Sequence, residues 1–406
     1  MALVLFLLLL PSICFTTEAQ TRDSNISLGS SCSPTNNSYW LSASRRFAFG
    51  FYPYGNGFSL GYESIPQKTV VWTANRDEPP FPADATLLLS TDGRLVVQQK
   101  QGQETLIANA SFASSASMLD SASFAHHNLV SDVSETNHAR GKFQLIMQRN
   151  GNLAQYPLDS VEQEAAYWNT GTFNAGDNVT LNLDSNGQLY LINSTALVVK
   201  NITKKVSVSG KLIYRATIDA DGIFRLYSHS FNQSGNWSIE WSSSNNRCVP
   251  KGLCGVNSYC TLMDREPVCQ CPLSFDFIDQ GQKDLGCQKN YSADACTRKS
   301  KQSFDVYELS SVTWEEDPYA TLQELSKDDC REECFRDCNC EVALYGSARQ
   351  ICKKLKLPLR YGRRRLGGRR TTFVKIGTGV RTIVGGKGKK SEAPHSTVQK
   401  GFGSER

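Results

Sequence analysis

From Ile26 to about Asn246 the chain alternates short apolar runs with clusters of Gly, Asn, Asp and Ser, as in Phe47-Ala48-Phe49-Gly50-Phe51-Tyr52 and Thr69-Val70-Val71-Trp72. Apolar positions recur every second residue, and no stretch of this region keeps the longer spacing of an amphipathic helix. That pattern predicts a mainly β fold, a barrel or prism of short strands. One unit repeats within it, polar-Asp/Asn-Gly-x-apolar: Thr91-Asp92-Gly93-Arg94-Leu95-Val96, Arg149-Asn150-Gly151-Asn152-Leu153-Ala154, Ser185-Asn186-Gly187-Gln188-Leu189-Tyr190 and Ala220-Asp221-Gly222-Ile223-Phe224-Arg225. Each copy reads as a type I′ hairpin turn followed by an outgoing strand.

The second copy carries more than a turn. Gln148, Asn150, Asn152 and Tyr156 follow one another at two-residue steps, with Ala154 in the same register. Alternate residues of a strand share a face, so the hairpin would gather three amides and a phenol on one patch. Carboxamides offer donors and acceptors in a fixed plane and can satisfy sugar hydroxyls without burying an ion. The competing reading is an ordinary turn flanked by solvated strand residues. The equivalent positions Ser90, Asp92, Arg94, Val96 and Gln98, and Asp184, Asn186, Gln188, Tyr190 and Ile192, keep the turn without the amide face and are read as structural.

With 406 residues the chain is too long for one small core. Residues 1–19 read as a signal peptide. The apolar run Leu3 to Leu10 is too short to span a bilayer, and Thr17-Glu18-Ala19 suits cleavage before Gln20. Glycosylation sequons at Asn25, Asn36, Asn109, Asn178, Asn193, Asn201, Asn232, Asn236 and Asn290 agree with a secreted, extracellular chain. Of 14 cysteines, Cys14 leaves with the signal, Cys32 stands alone, and the rest lie between Cys248 and Cys352. A cysteine-poor β region therefore precedes a disulfide-stapled half.

The net charge of +5 is unevenly spread. From Lys353 to Arg406 sixteen Lys or Arg face only Glu392 and Glu405, which leaves the preceding chain acidic. Tyr361, Phe373 and Phe402 are scattered through this basic end, which reads as disordered, and no nucleic-acid binding is expected of it. The histidines His126, His127, His138, His229 and His395 form no catalytic or metal-binding spacing, and Cys269-Gln270-Cys271 is too tight for a zinc knuckle. Gly385-Gly386-Lys387-Gly388-Lys389-Lys390 lacks the first Gly and the Ser/Thr of a phosphate loop. No enzyme activity, metal or cofactor is expected. No apolar stretch after Lys375-Ile376-Gly377 is long enough to cross a membrane.

The Gln148 to Tyr156 spacing resembles the Gln-x-Asp-x-Asn-x-Val-x-Tyr site of mannose-binding bulb-type lectins, with Asn150 in place of Asp and Ala154 in place of Val. Trp72-Thr73-Ala74-Asn75-Arg76-Asp77 after Phe47-Ala48-Phe49-Gly50-Phe51, and Ser134-Glu135-Thr136-Asn137 before Gly141-Lys142-Phe143-Gln144-Leu145, are similar to the extracellular part of plant G-type (S-domain) lectin receptor-like serine/threonine kinases. The likeness runs from about Ile26 to about Gly377. It breaks at Ala125-His126-His127-Asn128, where the family carries a longer segment. The resemblance implies weak binding of mannose-type glycans through Gln148, Asn150, Asn152, Ala154 and Tyr156, with Ala154 facing the sugar carbons. It implies a bulb-type lectin domain over residues 20–140 and a second lectin-like β region over 141–245. An EGF-like module over 246–290, a PAN/apple domain over 296–377 and a basic tail over 378–406 would complete the chain.

In the EGF-like family the pairing implied is Cys248 with Cys260, Cys254 with Cys269 and Cys271 with Cys287. The PAN/apple pattern places Cys330, Cys334 and Cys338 on one face of a helix and implies Cys330 with Cys352, Cys334 with Cys340, and Cys296 with Cys338. Cys32 is then a free thiol. The resembled family continues into a membrane span and a kinase, so this chain reads as a kinase-less receptor ectodomain. The alternative readings are an interaction module or decoy that pairs with related receptor ectodomains, and a truncated reading frame of a membrane receptor.

Overall fold

The computed structural model describes residues 24–377 except 37, 65–67, 101, 110–112, 120–121, 125–127, 205–211, 231–235, 292–303, 366 and 368–369. The expected signal peptide, Asn232, His126, His127, Cys296, His395 and residues 378–406 lie outside the described residues. The chain divides into two compact units: residues up to Gly255 with Cys260–Cys269, and Val256–Tyr259 with the residues from Gln270 onward.

In the first unit the period-two pattern becomes antiparallel sheets around two apolar cores. One core joins the sheet Trp40–Leu41, Phe47–Tyr54, Gly57–Ser64 and Thr69–Thr73 to the sheet Ser31–Cys32, Thr86–Leu89, Arg94–Gln98 and Glu104–Asn109. Phe49, Phe51, Leu60, Phe81, Leu87 and Val97 fill it, with Cys32 among them. The second core holds Leu145, Met147, Leu153, Leu181, Leu189, Leu191, Phe224 and Leu226. Three sheets enclose it: Asn128–Asp132, Arg140–Met147, Leu153–Pro157 and Trp168–Asn169; Ala122–Phe124, Thr180–Leu183, Leu189–Ile192 and Val198–Asn201; and Leu212–Ile218, Phe224–Ser230 and Ser238–Ser242. The division expected at residue 140 moves forward. Asn128–Asp132 takes its ladder from Arg140–Met147 and Leu129 packs into the second core, so the strand belongs to the second β region rather than the first.

The repeated turn also differs from its sequence reading. A type I′ turn needs two left-handed residues, but only Gly151 is left-handed, with φ 84°, while Asn150 is not. Gly151 N donates to Gln148 O and Gln148 N to Asn152 O, both at 2.9 Å. This is a three-residue loop, a type I turn closed by a left-handed glycine. Ser90 to Arg94, Asp184 to Gln188 and Asp219 to Ile223 repeat it, with Gly93, Gly187 and Gly222 at φ 83°, 75° and 81°. So does Asn193 to Leu197, with Ala196 in the left-handed position.

In the second unit a five-stranded antiparallel sheet runs in the order Phe304–Ser310, Arg370–Gly377, Val342–Gly346, Ile351–Leu355, Ala320–Leu322. Helix α1, Lys327–Arg336, packs on it, with Cys330 and Cys334 buried one turn apart. Ser326 and Asp329 close a reciprocal capping box at its start. The helix ends at Arg336, so Cys338 lies beyond it rather than on its face. The described part of the basic run is built into this sheet: Lys354 and Lys375 are 7% exposed and Phe373 is 1% exposed. Its lysines and arginines stand among apolar residues buried in the sheet, Leu355, Phe373 and Val374.

All five disulfides implied within the described residues are present: Cys248–Cys260, Cys254–Cys269, Cys271–Cys287, Cys330–Cys352 and Cys334–Cys340. Cys338 is disulfide-bonded as well, while Cys296, the partner expected for it, falls outside the described residues. Cys32 is free and buried. Among the sequons, Asn25, Asn36, Asn109, Asn178, Asn201, Asn236 and Asn290 are exposed, and Asn193 partly so.

Candidate carbohydrate site

Strand pairing of Arg140–Met147 with Leu153–Pro157 sets the register Ile146 to Ala154 and Gln144 to Tyr156, and the turn closes with Gln148 facing Asn152. Gln148 Nε2 donates to the Tyr156 hydroxyl at 2.7 Å, and Asn152 Nδ2 donates to Gln148 Oε1 at 3.0 Å. Asn150 Oδ1 accepts from Asn152 N at 3.1 Å. The four polar residues singled out by their spacing thus form one connected network.

Most of that network is covered. Asn152 is 1% and Tyr156 2% exposed, and Ala154 is fully buried. Ala154 and Tyr156 cluster with Ala165, from the 3-10 turn Gln163–Ala165, with Ile146 and Ala166 against them. The Ala154 methyl therefore packs on the chain's own turn and is not open to sugar carbons. Asn150 is exposed and Gln148 half-buried. Burial raises the Tyr156 pKa, the Gln148 hydrogen bond opposes the shift, and Glu164 adds to it. The phenol stays neutral, and because it accepts from Gln148 its own proton remains free to donate.

Two residues the spacing did not indicate complete the arrangement. Asn152 Oδ1 lies 3.2 Å from the Thr170 hydroxyl and accepts from Thr172 N at 3.2 Å. Thr170 Oγ1 also accepts from Leu153 N at 3.0 Å, and Thr172 Oγ1 donates to Gly151 O at 2.8 Å. Both threonines follow the strand Trp168–Asn169, some twenty residues downstream, and no local pattern marks them. The other hairpins use their side chains differently. Arg94 pairs with Asp92 and Glu104, each at 2.7 Å. Gln188 Nε2 donates to Asn201 Oδ1 at 2.9 Å, and Arg225 is clamped by Asp219 and Asp221.

The S-locus glycoprotein domain model matches residues 165–277. Over 92% of this chain, the sequence is 30% identical to G-type lectin S-receptor-like serine/threonine-protein kinase LECRK1 of Oryza sativa subsp. japonica. The chain is a homologue of the G-type lectin S-receptor-like kinases. LECRK3 of Oryza sativa subsp. indica is also 30% identical over 93% of this chain, and RLK1 of Arabidopsis thaliana is 23% identical over 89%. The chain spans about half the length of these relatives, 54%, 54% and 51% respectively. Among solved structures, a monomeric mannose-binding lectin of Gastrodia elata covers 31% of this chain and 96% of its own at 22% identity, with TM-score 0.21. The mannose-specific agglutinin of snowdrop covers 29% and 95% at 19% identity, with TM-score 0.21. Among the described residues no helix is long and apolar enough to cross a membrane, and no group of His, Cys, Asp and Glu could hold a metal.

Proposed function

We propose that this G-type lectin chain is a non-enzymatic extracellular recognition ectodomain that binds mannose-type glycan weakly at the rim of the Gln148 hairpin. The observation that carries the reading is the Gln148 amide, held at both ends by Tyr156 and Asn152. One N–H and one lone pair of that amide remain for a ligand, next to the exposed Asn150 amide and the Tyr156 proton. Asn152 and Tyr156 act by orienting Gln148, and preorganisation of this kind reduces the entropy lost on binding. With Ala154 covered, little apolar area is gained, and a Kd of roughly millimolar, about −4 kcal/mol, is expected. The disulfides support an oxidising, extracellular setting. Calorimetric titration with methyl α-mannoside tests the reading: Gln148→Ala combined with Asn150→Ala should abolish binding, and binding that survives the pair refutes the site.

A second reading is favoured by the same cover over Ala154 and Tyr156. In it the hairpin is a scaffold and the disulfide-stapled modules pair with a related receptor ectodomain, as an interaction module or decoy. Co-precipitation of the whole chain with such an ectodomain, unchanged by the Gln148 and Asn150 substitutions, would favour this reading over the first.

A further inference from the structure

Away from the hairpin, the first unit opens a cleft of about 410 Å3, within the range of small-ligand sites. One wall is the strand Thr69–Thr73 and the turn after it, which supply Trp72, Asn75, Asp77 and Glu78; Asn128 and Arg140, from the strands Asn128–Asp132 and Arg140–Met147, supply the other. Arg76 braces the two. Its Nη1 donates to Asp132 Oδ1 and to Val130 O, each at 2.9 Å. Asp132 is fixed in turn by His138 Nδ1 at 2.8 Å. Asn75 sits at φ 48° and accepts from Glu78 N at 3.0 Å, closing the turn that carries the acids.

Charge and exposure narrow the ligand. Arg76 is neutralised by Asp132, and at the mouth Arg140 Nη2 meets Asp77 Oδ2 at 3.0 Å with both side chains more than half exposed. A solvated pair of this kind contributes little, so its partners can turn to a ligand at small cost. The walls thus offer carboxylates, amides and a guanidinium in near charge balance, beside the half-buried Trp72 ring. That set matches vicinal hydroxyls on a body with one apolar face and gives an ion no clear advantage. A peptide segment would instead seek an open strand edge or an apolar groove. We infer that the cleft between the two β cores binds a short uncharged oligosaccharide. Asp77, Glu78 and Arg140 would engage hydroxyls and Trp72 would lie against a sugar face. The site is separate from the Gln148 hairpin.

The test titrates the whole chain with cellotriose, xylotriose and mannotriose, following heat and tryptophan emission. At least one trisaccharide should bind saturably. Asp77→Asn combined with Glu78→Gln should weaken that binding about tenfold or more, as expected for lost charge-assisted hydrogen bonds, with an unchanged unfolding midpoint. Gln188→Ala, on another hairpin, should leave it intact, and Trp72→Phe should remove the emission change. The inference is overturned if none of the three binds, if binding survives the Asp77 and Glu78 substitutions, or if Gln148→Ala abolishes it.

Discussion

Gly222 lies against the ring of Phe143 so closely that a Cβ at residue 222 would come within 2.8 Å of the ring Cγ and Cδ1. Its carbonyl accepts from Gln155 Nε2 at 2.9 Å and from the Tyr167 hydroxyl at 2.7 Å. The fourth repeated turn is thereby pinned to the sheet that carries the Gln148 hairpin. Gly222→Ala adds left-handed strain of about 1–2 kcal/mol to an overpacking cost of about 1–3 kcal/mol. Urea denaturation should show a loss of about 3 kcal/mol, and a loss below about 1 kcal/mol would mean that the Phe143 contact yields freely.

Thr170→Val keeps the shape of the side chain and removes the hydroxyl that serves Leu153 N and Asn152 Oδ1. Thr170 is 3% exposed, so these groups lose a partner that water cannot replace, at about 1–3 kcal/mol. The same change should slacken the Asn152 to Gln148 link. If the Gln148 amide is the binding group, methyl α-mannoside affinity falls with stability in this variant. An unchanged affinity would show that the network does not orient Gln148.

The second unit should carry an acid-labile contact. Burial alone would raise the Asp337 pKa, but hydrogen bonds from Lys354 and Tyr319 and from the Asn339 amide outweigh it and hold the carboxyl at about 2. An unfolded Asp titrates at about 3.9. A depressed folded value means stability that is complete above about pH 4 and is lost as pH falls through about 2. Asp337→Asn should be less stable than the parent at pH 7 and should flatten this part of the acid limb in thermal unfolding scans. Parallel scans for parent and variant between pH 4 and pH 2 would refute the contact's role.

Cys32 is 3% exposed and its thiol is pushed up to about 12 by burial. Thiolate is the reactive form, so the native chain at pH 8 should resist a maleimide and take it up at Cys32 only after denaturation. Rapid native labelling that Cys32→Ser removes would place the thiol at the surface. An intermolecular disulfide through this residue is not compatible with its packing among Phe49, Leu87 and Val97.

The sheets were legible because alternation survives any turn geometry: Phe47 to Tyr52 and Leu153 to Tyr156 read as strands whichever way the loop between their partners folds. The turn type was not, since Asp-Gly and Asn-Gly serve both a type I′ turn and a type I turn closed by a left-handed glycine. The φ of Asn150, which is not left-handed, separates the two. For the site, spacing placed Gln148, Asn152 and Tyr156 together but could not tell an open patch from a covered one. The cover comes from Gln163–Ala165 and the anchoring hydroxyls from Thr170 and Thr172, contacts that only the tertiary fold brings about. Likewise the basic run from Lys353 concealed a sheet whose buried members, Leu355 and Phe373, are too far apart in sequence to stand out.

The closed Gln148 hairpin has a bearing on how such a chain can change over time. Asn152 and Tyr156 are tied to Gln148, Thr170 and Thr172 within the fold, so the form of the hairpin does not depend on what it binds. A ligand can be lost, or exchanged for another, without weakening the sheet. Asn150, on the exposed tip, is the member freest to vary, and substitutions there can retune recognition while the hairpin beneath keeps its form.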